Sequence, residues 1–153
     1  MNKLAFAMTA ALAACAVSAT TTYTITTTAA NTYESPLAID SATVTVDDGE
    51  TSETKPFSEV KDAFVAGSVF RKRGEGYLLS SPSMFGFTGE VRIEEGGFLV
   101  VTNQCLGPTA QTSVNPVVVS NGASLVICPT LATCPSRGLV LYNPMTYEGS
   151  GYE

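Results

Sequence analysis

The sequence predicts an all-β protein, and three of its features do so. Short runs of Val, Ile, Leu and Thr recur along the chain, broken by Gly-, Asn- and Asp-bearing turn signals roughly every 8 to 12 residues. Only 14% of the residues are charged, His and Trp are absent, and Thr, Ser, Gly and Val are abundant, as in β-rich extracellular proteins. After Thr20 no long stretch keeps a helical apolar period. Ser58–Phe64 alone has helical spacing, with Val60, Ala63 and Phe64 on one face.

The chain opens on Met1-Asn2-Lys3, one positive charge ahead of an apolar run from Leu4 to Val17. The run closes on Val17-Ser18-Ala19, small residues at the positions a signal peptidase reads. A secretory signal peptide is expected over residues 1–19, with Ala19 as the cleavage position. The run is too short and too weakly apolar for a comfortable membrane span, so no transmembrane segment is expected in the mature chain. Leu12-Ala13-Ala14-Cys15 offers an alternative, a lipobox in which Cys15 becomes the acylated first residue. The expected destination is the cell surface, outer membrane-associated or extracellular, with a lipoprotein anchored through Cys15 as the alternative.

Strand signals follow in order. Thr21–Thr27 alternates Thr with Tyr23 and Ile25. Ala42–Val46 alternates and ends on the turn Asp47-Asp48-Gly49. Val91-Arg92-Ile93 runs through Glu94-Glu95-Gly96-Gly97 into Phe98–Val101. Val117–Val119 runs through Ser120-Asn121-Gly122 into Ser124–Ile127, and Leu139-Val140-Leu141 reaches Tyr142-Asn143-Pro144. A short strand, a tight corner and another short strand suit a solenoid coil. Val91/Ile93, Leu99/Val101, Val117/Val119 and Leu125/Ile127 are then the expected inward layers. The same alternation fits a β-sandwich equally well.

The chain also echoes itself. Gly76-Tyr77-Leu78-Leu79-Ser80 is matched 62 residues on by Gly138-Leu139-Val140-Leu141-Tyr142, and Phe87-Thr88-Gly89 by Thr146–Gly149, an offset of 60 between the glycines. Residues 67–101 read Gly67-Ser68-Val69-Phe70-Arg71-Lys72-Arg73-Gly74-Glu75-Gly76-Tyr77-Leu78-Leu79-Ser80, then Phe87-Thr88-Gly89 and Gly96-Gly97-Phe98-Leu99-Val100-Val101. This stretch resembles one unit of the autotransporter-associated β-strand repeat, a family of bacterial surface-protein passengers. The motif positions are Lys72, Gly74, Gly76, Leu79, Phe87, Thr88, Gly89, Gly96 and Leu99. Pro82-Ser83-Met84 departs from the usual Gly-x-Asn ahead of the aromatic. The resemblance implies a short right-handed parallel β-helix and an adhesin-like or stalk-like surface role, with a β-sandwich as the alternative fold.

Little in the sequence points to catalysis. Without His there is no Ser-His-Asp or Cys-His arrangement, and the chain is expected not to be an enzyme. Arg92 and Glu94 would share a strand face, the pairing an acidic-polysaccharide-cleaving β-helix would need, but nothing else supports that chemistry. No cofactor is expected. Asp47-Asp48-Gly49-Glu50 with Glu53 has oxygen donors for calcium but lacks the spacing of a calcium loop, and reads as a solvated turn. Glu90, Glu94 and Glu95 read as strand-edge charges. Three cysteines without His give no zinc spacing. In an exported protein Cys128 and Cys134 can close a small disulfide loop; Cys105 with Cys128 is the alternative.

The formal net charge is −6 and the pI about 4.5, which argues against nucleic acid as a partner. The one basic cluster, Arg71-Lys72-Arg73, reads as a solvated turn. The expected organisation is a signal peptide over 1–19, N-terminal β coils over 20–66, a repeat with its linking coil over 67–127, and the start of a second, incomplete repeat over 128–153. The expected function is a structural surface module of an exported bacterial protein, resembling an autotransporter passenger and cut from a longer chain, stacking with further repeats or meeting a surface glycan or cell-envelope partner. A small secreted carbohydrate-binding module is the alternative.

Overall fold

The structure, a computed structural model, describes residues 20–63, 68–81, 84, 87–102, 105–107, 115–127 and 143–149. It is mainly β. The longer of two sheets has seven strands. Five run parallel: β1 (Thr22–Thr26), β5 (Val69–Arg73), β7 (Glu90–Ile93), β9 (Val117–Val119) and β11 (Met145–Tyr147). A hairpin of β3 (Thr43–Asp47) and β4 (Ser52–Pro56) joins the far side of β1 antiparallel, so this sheet is mixed. The smaller sheet is four parallel strands, β2 (Leu37–Ala38), β6 (Tyr77–Leu79), β8 (Gly97–Val100) and β10 (Ser124–Ile127).

The chain alternates between the sheets. β5, β7 and β9 each lead through a corner to β6, β8 and β10, and β1 leads to β2 through a longer stretch. The corners are Gly74-Glu75-Gly76, Glu94-Glu95-Gly96 and Ser120-Asn121-Gly122. Each has a glycine at positive φ, between 59° and 81°. A Cβ on Gly74 would stand 1.9 Å from the Thr27 carbonyl oxygen, and one on Gly96 would stand 2.4 Å from that of Gly76. Close stacking of corner on corner therefore requires glycine at both positions.

Register lines up the inward side chains of the long sheet in two rows. Tyr23, Phe70, Val91, Val117 and Met145 form one; Ile25, Lys72, Ile93, Val119 and Tyr147 form the other. Leu37, Leu78, Phe98 and Leu125 form the facing row of the smaller sheet. Phe70 meets both Phe87 and Phe98 edge-on at 6.2 Å, in the geometry that aromatic quadrupoles favour. Phe57, Ile39, Met84 and Leu106 complete the core.

The expected strands that fall on described residues are present; Leu139-Val140-Leu141 and the echo Gly138–Tyr142 lie outside them. The inward layers Val91/Ile93 and Val117/Val119 belong to the core. β8 differs by one residue: Phe98 and Val100 belong to the core, whereas Leu99 lies on the opposite side of the strand. Ile127 follows Val100 in register but is 45% exposed at the outermost strand. Of the expected helical segment Ser58–Phe64, whose Phe64 lies outside the described residues, Ser58–Val60 belong to α1, one turn over Phe57–Val60 that buries Phe57 and Val60. The Arg71-Lys72-Arg73 cluster is not a solvated turn: it lies within β5, and Lys72 is buried. Glu90, Glu94 and Glu95 are not strand-edge charges either. β7 and its corner lie inside the long sheet, between β5 and β9. The two echoed aromatic segments occupy different places. Phe87–Gly89 precedes β7, whereas Tyr147 ends β11 and Gly149 stands beside Asn121. Among the described residues no helix is long and apolar enough to cross a membrane.

Candidate functional site

Lys72 is the chemically distinctive residue. Strand alternation turns it inward between Ile25 and Ile93, and it is fully buried. Its ammonium donates to three main-chain carbonyls, those of Gly74 at 2.5 Å, Gly76 at 2.6 Å and Glu95 at 2.6 Å. Three donors meeting three acceptors is how a buried ammonium can be tolerated. Burial pushes the Lys72 pKa down to about 8, and the Glu95 carboxylate opposes that shift. That carboxylate also accepts from the Gly74 N–H at 2.8 Å. Lys72 therefore fastens its own corner to the corner of the following strand pair.

The outer face of the long sheet is polar and continuous. One cross-strand row runs Thr54, Thr45, Thr24, Arg71, Arg92, Val118 and Thr146. Around the hairpin and β1 it carries hydroxyls from Thr22, Thr24, Thr26, Thr43, Thr45 and Thr54. Thr45 and Thr54 hydrogen-bond at 3.3 Å. Across β5 and β7 it carries charge. Arg92 and Glu94 share this face as expected, but each is committed elsewhere. Arg92 pairs with Glu90, while Glu94 accepts from Arg73 at 2.5 Å and lies 3.5 Å from Arg71. The Glu90 hydrogen bond is the main cause that raises the Arg92 pKa. The face is equipped to hydrogen-bond a ligand.

Two further motif glycines lie against main chain. A Cβ on Gly76 would meet the Thr28 carbonyl at 2.1 Å, and one on Gly89 would meet that of Ser68 at 1.8 Å. Phe87 is buried and Thr88 exposed. Leu79 and Leu99 are in register on the side of the smaller sheet away from Leu78 and Phe98. At the hairpin turn, the Asp48 carboxylate accepts from the N–H groups of Thr51 and Glu50, which hold its pKa below the usual carboxylate range. Glu53 pairs with Lys55 at 2.6 Å. Among the described residues no three His, Cys, Asp or Glu come together as a metal-binding group. Cys105 is a free, buried thiol. Cys15, Ala19, Cys128 and Cys134 lie outside the described residues.

Sequence reasoning missed one polar pair, Asn115, which is buried, and Asn143, which is half-buried. The Asn115 amide donates to the Phe87 carbonyl at 2.5 Å, and the Asn143 amide donates to the Asn115 carbonyl at 3.1 Å. The available signal was the dipeptide Asn-Pro, which occurs at 115–116 and 143–144 directly before β9 and β11. Searched against protein-family models, curated proteins and solved structures, the chain matches none.

Proposed function

We propose that this chain is a non-enzymatic scaffold, a short right-handed parallel β-helix within an exported bacterial surface protein that resembles an autotransporter passenger. One observation carries the reading. Successive strands alternate between two sheets in parallel register, and Lys72, Gly74, Gly76 and Gly96, all motif residues, form the fastening between successive corners. Stacked coils of this kind give a stiff body from a small core, because each layer buries apolar residues against its neighbours. The body would present loops and the polar outer face at the cell surface, stacked with further repeats or against a cell-envelope partner.

An antibody raised against residues 67–101 tests this reading in the host. Labelling of intact cells, on a species far heavier than the 15.9 kDa of this chain, supports a segment of a large surface scaffold. Absence of label from both surface and medium overturns it. The hydroxyl-covered face around Thr24 and Thr45 favours a second reading, a small secreted carbohydrate-binding module. A secreted species of this chain's own size that is retained on a glycan array would select that reading instead.

A further inference from the structure

The two ends of the parallel stack are built differently. At one end β3 takes the edge of β1 antiparallel, and β4 becomes the outermost strand. β4 is poorly made to accept a neighbour. Its Glu53 and Lys55 stand opposite Val46 and Val44, on the inward side of the sheet, and pair with each other. Inward-pointing charges on an outermost strand oppose a further apolar layer. Pro56 removes one N–H from the same strand.

Among the described residues the opposite edge has none of these devices. β11 is Met145-Thr146-Tyr147, with neither charge nor Pro, and Tyr147 is 64% exposed. Its neighbour at the end of the smaller sheet, β10, is Ser124-Leu125-Val126-Ile127. The Pro144 carbonyl accepts from Val117 and the Glu148 N–H donates to Val119. By the alternation of a parallel ladder, Met145 and Tyr147 therefore direct their own N–H groups away from β9.

The hairpin is also an excursion whose ends meet. The Phe57 N–H donates to the Ala42 carbonyl at 2.9 Å. Without residues 43–56, β1 would present a bare edge with Tyr23 and Ile25 on its inward side. Those two residues begin the same rows that Met145 and Tyr147 end.

We propose that the β3–β4 hairpin is an assembly-blocking cap: it occupies the edge of β1 on which the β11 edge of a second copy would otherwise dock head to tail. The proposal rests on the coil reading above. Such a contact is heterologous, so each added copy leaves a new edge and the assembly is open-ended.

The test compares this chain with a variant in which residues 43–56 are replaced by Asn-Gly. Ala42 and Phe57 then become the outer residues of a four-residue turn, which needs the carbonyl-to-N–H bond they already make. In sedimentation velocity the wild type is expected to remain monomeric. The hairpin-less chain is expected to grow with concentration to particles at least about tenfold heavier, the behaviour of an open-ended contact. Adding Tyr147→Pro is expected to return it to a monomer. A folded hairpin-less chain that stays monomeric, or one whose assembly survives Tyr147→Pro, overturns the proposal. So does a wild type that assembles as readily as the variant. Should circular dichroism show the hairpin-less chain unfolded, Thr45→Pro decides, since a proline there breaks the pairing of β3 with β1 and leaves every core residue in place. Self-association upholds the cap and a monomer at every concentration overturns it. Amide exchange on the wild type separates the two readings. Slow exchange in β5, β7 and β9 upholds the stack even if the cap fails, and fast exchange there overturns the stack itself.

Discussion

Lys72 is held by the main chain of Glu95, while the Glu95 carboxylate holds the corner that follows Lys72. The Lys72 ammonium donates to the Glu95 carbonyl at 2.6 Å, and the Glu95 carboxylate accepts from the N–H of Gly74, two residues beyond Lys72, at 2.8 Å. Lys72→Met keeps the apolar stem and deletes three hydrogen bonds at once. Gly76 retains a second donor to its carbonyl, the Gly97 N–H, so the loss falls mainly on Gly74 and Glu95. The expected cost is about 2 kcal/mol, the loss of charge-assisted bonds partly offset by removing a buried charge. Urea unfolding of the two proteins measures it, and an equal midpoint would show that Lys72 contributes nothing net.

The same lysine sets a pH dependence whose sign is opposite to that of a surface lysine held by a carboxylate. Its folded pKa is lowered from 10.5 to about 8. Between those values the unfolded chain holds a proton that the native chain has released. Stability from this group therefore rises as pH climbs from about 8 towards 10.5, and is lost as pH falls through 8. The slope reaches about 1.4 kcal/mol per pH unit for one proton. The difference in unfolding free energy between wild type and Lys72→Met, followed from pH 7.5 to 10.5, should grow in favour of the wild type across this window.

Glycine at the corners serves two separable purposes. Gly74 has φ of 78° and would place a Cβ 1.9 Å from a main-chain oxygen, whereas Gly122 has φ of 81° with nothing within 4 Å. Gly122→Ala meets only the left-handed conformation and should cost about 1 kcal/mol. Gly74→Ala must also push two strands apart and should cost about 3 kcal/mol or more. Equal shifts in thermal midpoint for the two variants would contradict the close stacking of this corner on Thr27.

Much of the fold was legible where local chemistry and tertiary position agree. Tyr23 and Ile25 alternate with threonines, and β1 places them inward. The misreadings share a cause. β8 is buried along its whole length, so the alternation that would set its facing is missing from the sequence, and the inward place expected of Leu99 belongs to Phe98 and Val100. Arg71-Lys72-Arg73 looks uniformly solvated because charge says nothing of strand parity, and only the pairing partners Ile25 and Ile93 reveal where Lys72 points. β4 offered no apolar alternation at all, since its inward positions are Glu53 and Lys55. Of the candidate site, the glycines were visible through the motif, while the carbonyls that receive the lysine belong to the backbone and leave no mark on residue identity.

β1 begins at Thr22, so a cut after Ala19 would leave the first strand whole. Mass spectrometry of the processed protein should find Thr20 as the first residue. An acylated peptide beginning at Cys15 would instead establish the lipoprotein route. The two outcomes also differ mechanically, since an anchored chain would place β1 within a few residues of the membrane surface.

Asn115 makes the final prediction. Its side chain is 2% exposed and donates to the carbonyls of Phe87 at 2.5 Å and Leu106 at 3.4 Å, tying the stretch before β9 to the stretch before β7. Asn143 repeats the arrangement one strand later, donating to Leu106 at 3.2 Å and Asn115 at 3.1 Å, but from a less buried position. Asn115→Ala should therefore cost about 2 kcal/mol and Asn143→Ala about 1 kcal/mol. Because the two side chains share the Leu106 carbonyl, each single variant leaves it one of these donors and only the double variant removes both, so the double should lose more than the sum of the singles. Strict additivity in a double-mutant cycle, read from urea midpoints, would mean that the two asparagines act as separate clamps.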